Sequence, residues 1–310
     1  MIITTQTMQT LLPKFKKEIA TLKSGEIFTF EVPNPDLSDG YAGGQIQIEG
    51  EKYLIRGYKA WSDLAEILFC KMLTPEAVRY PFVKLRFQKL KTDNSFHTLE
   101  NEDKYGSDSP FAQIHKMEEP AFLYYYQEAL INARVETRKA ILDLGINSGD
   151  EFEVIQTMLP AEIYEKLALV GIDYSPSAIA LAQKRFPHPN VTFYTHDMND
   201  LAKLPLAKYD LLISIGTLQS STIDFKPFFM SLVQNYLTED SAIILGFPNA
   251  RWIDGEMIYG AKAPNYRMNE MSLVLNDIMF AKKYLQQHRY RVTVTGKAYL
   301  FLTATKITKD

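Results

Sequence analysis

Apolar residues follow two rhythms along this chain. EIFTFEV (26–32) and QIQIEGEKYLIRGY (45–58) alternate apolar and polar positions, the pattern of half-buried antiparallel strands. PNPDLSDGYAGG (33–44), dense in Pro, Gly, Asp and Ser, reads as the loop between them. VKLRFQKL (83–90) is a further strand, with Lys84, Arg86 and Gln88 facing one way. Leu64, Ile67, Leu68 and Leu73 fall on one helical face, which predicts a helix over Ser62–Leu73 with Ser62 as its cap. After a polar connector (93–119) and a helix over PAFLYYYQEALINAR (120–134), the rhythm changes. AILDL (140–144), the segment from Leu167 to Ile172, YDLLISI (209–215) and AIILGFP (242–248) are short, nearly unbroken apolar runs. Such runs belong to parallel strands buried on both faces. RVTVTGKAYLFLTATKI (291–307) alternates again and turns at Gly296-Lys297, a final hairpin.

The expected architecture is therefore α/β. Residues 116–310 should form a doubly wound, mostly parallel seven-stranded sheet with an antiparallel terminal hairpin. Residues 1–115 should form a small α+β domain with an accessory or substrate-handling role. At 310 residues, 46% hydrophobic and 23% charged, the chain has an ordinary globular composition. A net charge of −3 gives no global attraction to nucleic acid or anionic membrane. The single cysteine, Cys70, excludes an internal disulfide and any multi-cysteine metal site. It is expected on the apolar face of the 62–73 helix. No run of eighteen apolar residues occurs and the first residues lack a secretory apolar region, so a cytoplasmic, membrane-free protein is expected.

Candidate chemistry centres on the first buried run. Asp143, Gly145 and Gly149 mark a tight turn, and Asp150, Glu151 and Glu153 follow where acids suit a helix start. Asp173 ends the next strand, 24 residues past Gly149. An acid there can hold a ribose diol while glycine lets backbone approach the ligand. The turn has no G-x-G-x-x-G of the dinucleotide folds. It resembles instead the first motif of the Rossmann-like (class I) S-adenosylmethionine-dependent methyltransferases, acid-x-Gly-x-Gly-x-Gly, with Asn147 replacing the middle glycine. Asn tolerates left-handed backbone well among non-glycine residues.

The resemblance runs in order over roughly 138–308. It implies S-adenosylmethionine as cofactor, with Asp143, Gly145, Asn147 and Gly149 at its methionine end and Asp173 and Tyr174 at its ribose. THDMNDL (195–201) is similar to the adenine motif, through Asp197 and Met198. YDLLISIGTLQ (209–219) is similar to the fourth strand, where Ser214, Ile215 and Gly216 would line the sulfonium. Simpler readings stay open: a glycine after a strand serves any turn, and Asp197 or Asp173 could cap a helix.

The methyl acceptor is less legible. The Asp/Asn-Pro-Pro-aromatic signature of amino-methylating enzymes is replaced by Ile215-Gly216-Thr217-Leu218-Gln219. The core has no cysteine for cytosine C5 chemistry. A small molecule leads, with a tRNA nucleotide or a protein side chain as alternatives. The long aromatic segment 247–272 supplies Asn249, Arg251, Trp252, Tyr259, Tyr266 and Arg267 as substrate candidates, the arginines suiting a carboxylate or phosphate. A packed surface loop is the alternative. Arg79, Lys84, Arg86, Lys89 and Lys91, interleaved with Tyr80, Phe82 and Phe87, could meet RNA. Tyr124, Tyr125 and Tyr126 could either pack between domains or approach the cationic methyl donor. The five histidines show no metal-ligand spacing; His196 could serve as a base or pack beside the cofactor. Neither a metal nor a catalytic base is assigned. A noncatalytic nucleoside-cofactor module and an NAD-dependent oxidoreductase remain as other classes of function.

Overall fold

The computed structural model describes residues 1–92, 109, 113–260 and 270–307. It divides into two compact units: Met1–Thr98 with Trp252–Ile258, and Leu99–Arg251 with Tyr259–Asp310. The expected boundary stood at 115/116, and the return of 252–258 to the first unit has no counterpart in the sequence reading. Among the described residues no helix is long and apolar enough to cross a membrane.

The first unit begins with helix α1 (Met8–Ala20), which the sequence reading did not anticipate because Pro13 interrupts the pattern. Its Leu11, Phe15 and Ile19 recur every four residues and are buried. Strands β1 (Ile27–Pro33), β2 (Gly44–Ile48) and β3 (Glu51–Ile55) follow. The single alternating run 45–58 is thus a hairpin, β2 with β3, turning at Glu49 and Gly50, both at positive φ. The helix expected over 62–73 is a correction. Helix α2 spans Tyr58–Ile67, with Ser62 donating to the Lys59 carbonyl inside it rather than capping it. Phe69, at φ 53, ends the helical path, and β4 (Cys70–Ala77) pairs with β5 (Phe82–Lys89). Apolar positions at 64, 67, 68 and 73 satisfied a helical period, but Leu73 pairs with Arg86 in the sheet. Cys70 is a buried strand residue. Strand order is β1-β5-β4, with Phe30, Leu85 and Phe87 packed on Phe15 and Trp61 in one core.

The second unit opens with helix α3 (Pro120–Asn132), then alternates strands and helices. Its strands are β6 (Ala140–Leu144), β7 (Ala168–Asp173), β8 (Val191–Thr195), β9 (Tyr209–Ile215) and β10 (Leu237–Pro248). Between them lie α4 (Asp150–Met158), α5 (Ala161–Tyr164), α6 (Pro176–Arg185) and α7 (Phe225–Asn235). A short ribbon, β11 (Ala250–Ile253) and β12 (Glu256–Tyr259), precedes α8 (Ser272–Gln287) and the hairpin β13 (Tyr290–Gly296) and β14 (Tyr299–Lys306). The seven-stranded sheet runs β13-β14-β10-β9-β6-β7-β8. The five strands β6 to β10 pair in parallel, while β14 is antiparallel to both β10 and β13. Successive residues feed opposite cores: Leu142 and Leu144 pack toward α7 and α8, Ile141 toward α3 and α4. Both faces of β6, β7, β9 and β10 are covered, which is why these strands read as nearly unbroken apolar runs; β8, at the edge, carries exposed positions. The order of strands reverses between β6 and β9, and ligands bind at such a point, beyond the carboxyl ends of the strands.

Candidate functional site

Gly145 and Gly216 leave β6 and β9 on either side of this switch point, both at positive φ. A Cβ added at Gly145 would land on the Thr217 hydroxyl, so the two strand ends are in close approach there. Asn147 takes φ 46, as its place in the turn requires, and its side chain accepts from Ser148 N at 2.9 Å. Gly149 is the residue before α4, at φ 93, and a Cβ there would sit 2.6 Å from the Phe186 ring. Arg185 braces the turn from α6. It donates to the Ser148 carbonyl at 2.8 Å, to Asp150 at 2.5 Å and to Glu153 at 2.7 Å.

Acidic groups converge below this turn. Asp143 is 1% exposed, and neither carboxylate oxygen has a hydrogen-bond partner among the described residues. Burial, then the charges of Glu151 and Asp173, hold its pKa well above the usual carboxylate range. Glu151 keeps some surface, yet enclosure of its carboxyl pushes its pKa up to about 8. Asp150 and Asp173 add to that rise, while its own backbone N–H and Lys116 oppose it. Tyr126 lies over them, fully buried, its hydroxyl donating to the Glu151 carbonyl at 3.4 Å. Burial first, then Asp143 and Glu151, raises its pKa. Asp173 accepts from Asn147 N and Ser175 N, both at 2.9 Å, so it also pins the glycine turn.

Other expected residues spread more widely. Ser175, with Pro176 at the first helical position, caps α6; Asp173 does not. Tyr174 is 63% exposed. Asp197 caps the short helical turn Met198–Lys203, its side chain accepting from Asn199 N, and Met198 is buried behind it. His196 turns its ring toward the Asp200 carbonyl at 3.0 Å. The Ser214 hydroxyl is spent within the sheet, donating to the Leu144 carbonyl at 2.9 Å, and Ile215 is buried. The three tyrosines of α3 diverge. Tyr126 stacks on Phe301 inside the core of the second unit, Tyr125 is half-buried, and Tyr124 is exposed.

The 247–272 segment is divided. Arg251 donates to the Gly260 carbonyl at 2.7 Å and braces the ribbon. Trp252 belongs to the first unit and Tyr259 to the second. Tyr266 and Arg267 lie outside the described residues. Asn249 is fully buried, and neither atom of its side-chain amide has a partner among the described residues. It directly follows Pro248, which pairs with Tyr299.

Tyr299 and Lys116 are the residues that the sequence did not suggest. A Cβ at Gly216 would sit 2.6 Å from the Tyr299 hydroxyl, so that hydroxyl faces the tip of β9. Lys116 donates to it at 2.8 Å and lies 4.6 Å from the ring centroid. Alternation along the hairpin put Tyr299 on the face of Phe301, but the register against β10 came only with the fold. No pattern marked Lys116 within its polar connector.

Two half-buried acids, Glu151 and Asp173, beside the orphaned Asp143 carboxylate call for a cationic partner. An ammonium- and sulfonium-bearing nucleoside fits that donor set, and glycine at both strand tips leaves backbone accessible. The sequence profile described as a methyltransferase domain matches residues 136–293. No curated protein matches the chain. Among solved structures it is similar to the N-methyltransferase NodS from Bradyrhizobium japonicum in complex with S-adenosyl-L-homocysteine. Identity there is 14%, covering 70% of this chain and all of that one, with a TM-score of 0.44. It is also similar to the plantazolicin methyltransferase BpumL, in complex with a monoazolic substrate analogue and the same product. That pair shares 13% identity over 62% and 87% of the two chains, with a TM-score of 0.44.

Proposed function

The chain belongs to the methyltransferase-domain family, as a class I S-adenosylmethionine-dependent enzyme, and we propose that it methylates a small molecule presented at the tip of β9. The Tyr299 hydroxyl, held by Lys116 against Gly216, is the observation that carries this reading. When bound, S-adenosylmethionine supplies a methyl group already activated on sulfur. Asp143 and Glu151 would hold its cationic end, Asp173 its sugar, and Asp197 with Met198 its purine. Tyr299, Lys116 and the orphaned Asn249 amide would orient the acceptor's polar atoms. Alignment of this kind lowers the barrier to an in-line displacement without a dedicated base. Family membership replaces the noncatalytic and nicotinamide alternatives.

A small molecule is favoured over RNA by the first unit's basic strand. Lys84 and Arg86 both pair with Glu76, at 3.0 and 2.8 Å, so one of their two charges is offset locally and both side chains are held in the sheet. Phe87, interleaved with them, is fully buried and cannot stack on a base. Incubation with methyl-tritiated S-adenosylmethionine, a dialysable metabolite extract and bulk tRNA tests the proposal. Label should enter the dialysable fraction. Label in tRNA or in protein would overturn it.

A further inference from the structure

We propose that the amino-terminal unit carries a second binding site, for a small apolar monocarboxylate, in the cavity between α1 and α2. The cavity measures about 490 Å³, and Met8, Leu12, Leu54, Leu64 and Ile67 give it apolar walls. Arg56 is its only cationic lining residue. That arginine is 5% exposed; Nη2 donates to the Gln6 carbonyl at 2.8 Å, and Nη1 has no partner among the described residues. Its guanidinium carbon lies 5.5 Å from the Trp61 ring centroid. Trp61 is itself 1% exposed, and its Nε1–H is likewise unpartnered. Trp61 lies behind the cavity wall, but Arg56 lines the cavity, so a buried and charged donor there lacks an acceptor. Buried donors of this kind are normally satisfied, so each orphan requires an explanation.

Charge and shape narrow the ligand. Burial alone pulls the Arg56 pKa down, a burden that an anion beside it would relieve. A phosphate dianion would meet a single arginine and the Asp63 carboxylate, which also lines the cavity and is paired with Lys59 at 2.6 Å. One negative charge on an apolar body suits the site better. A carboxylate can accept from the Arg56 Nη1, while its chain lies along leucine and methionine walls. The site goes beyond methyl transfer and does not rest on it, because every lining residue belongs to the first unit.

The test uses the full-length protein and sodium octanoate, with octanamide as the uncharged isostere and inorganic phosphate as the anion without a chain. Calorimetric titration should give octanoate a Kd below about 1 mM, and octanamide and phosphate should each bind at least about tenfold more weakly. Arg56→Met should abolish the preference for the carboxylate. If that variant does not fold, Ala60→Phe decides: it keeps Arg56, adds a ring on the cavity wall, and should abolish octanoate binding while S-adenosyl-L-homocysteine still binds. Equal affinity for octanoate and octanamide, no octanoate binding at about 5 mM, or unchanged octanoate binding in Ala60→Phe would each overturn the proposal. A failure to bind S-adenosyl-L-homocysteine in every variant would instead count against the methyltransferase site.

Discussion

At the scale of single residues, the site is a contest between acids that want a cation and a protein interior that resists charge. Glu151, with its pKa pushed up to about 8, binds a proton in the folded state over a range where the unfolded chain has released it. Stability therefore declines as pH rises from the ordinary glutamate range toward about 8. Glu151→Gln should lose less stability than the parent between about pH 5 and 8 in urea titrations. Asp143, shifted in the same direction, should preserve part of the slope. Tyr299 acts on the other side of the turn. Tyr299→Phe removes the hydroxyl that Lys116 holds against Gly216. Acceptor turnover should fall about 10²-fold, with the Kd for S-adenosyl-L-homocysteine unchanged by calorimetry. Equal loss of both would assign Tyr299 to the cofactor. Asp143, Gly145, Asn147 and Gly149 were legible because backbone geometry restricts residue choice at a tight turn. Tyr299 and Lys116 were not, because a tyrosine on a hairpin and a lysine in a polar stretch are unremarkable until two distant segments meet.

At the scale of elements, the glycine turn is held from outside itself. Arg185, on α6, ties Ser148, Asp150 and Glu153 together across the start of α4. Partly exposed charged pairs of this kind contribute about 0.2–1 kcal/mol each. Arg185→Met should lower the melting temperature by roughly 2–6 °C and weaken cofactor binding about tenfold. An intact cofactor affinity would show that the turn stands without this brace. The elements also mark where pattern reading succeeds. Four of the five parallel strands were found because burial on both faces leaves nearly unbroken apolar runs; β8, half-buried at the sheet edge, has no such run and was not. The helix expected over 62–73 failed for the opposite reason. Its apolar positions satisfied two periods, and Phe69, in a left-handed conformation that no pattern announces, divides α2 from β4.

For the whole molecule, the two units have separate hydrophobic cores, one around Phe30, Phe87 and Trp61, the other on both faces of the seven-stranded sheet. Calorimetric unfolding should resolve two transitions. Phe87→Ala should lower only one and Phe301→Ala only the other, each by a cavity cost of about 3–5 kcal/mol. S-adenosyl-L-homocysteine should raise only the transition that Phe301→Ala lowers, by mass action; a single transition moved by all three would mean one cooperative unit. The sequence by itself determined the class of the molecule. Periodicity, a restricted turn and acids at strand ends are local properties, readable wherever backbone sterics and burial leave few choices. Tertiary structure alone decided which residues share a site. Asn249 and Tyr299, and Gly145 and Thr217, became neighbours through sheet register, and this depends on contacts between segments that the order of residues does not display.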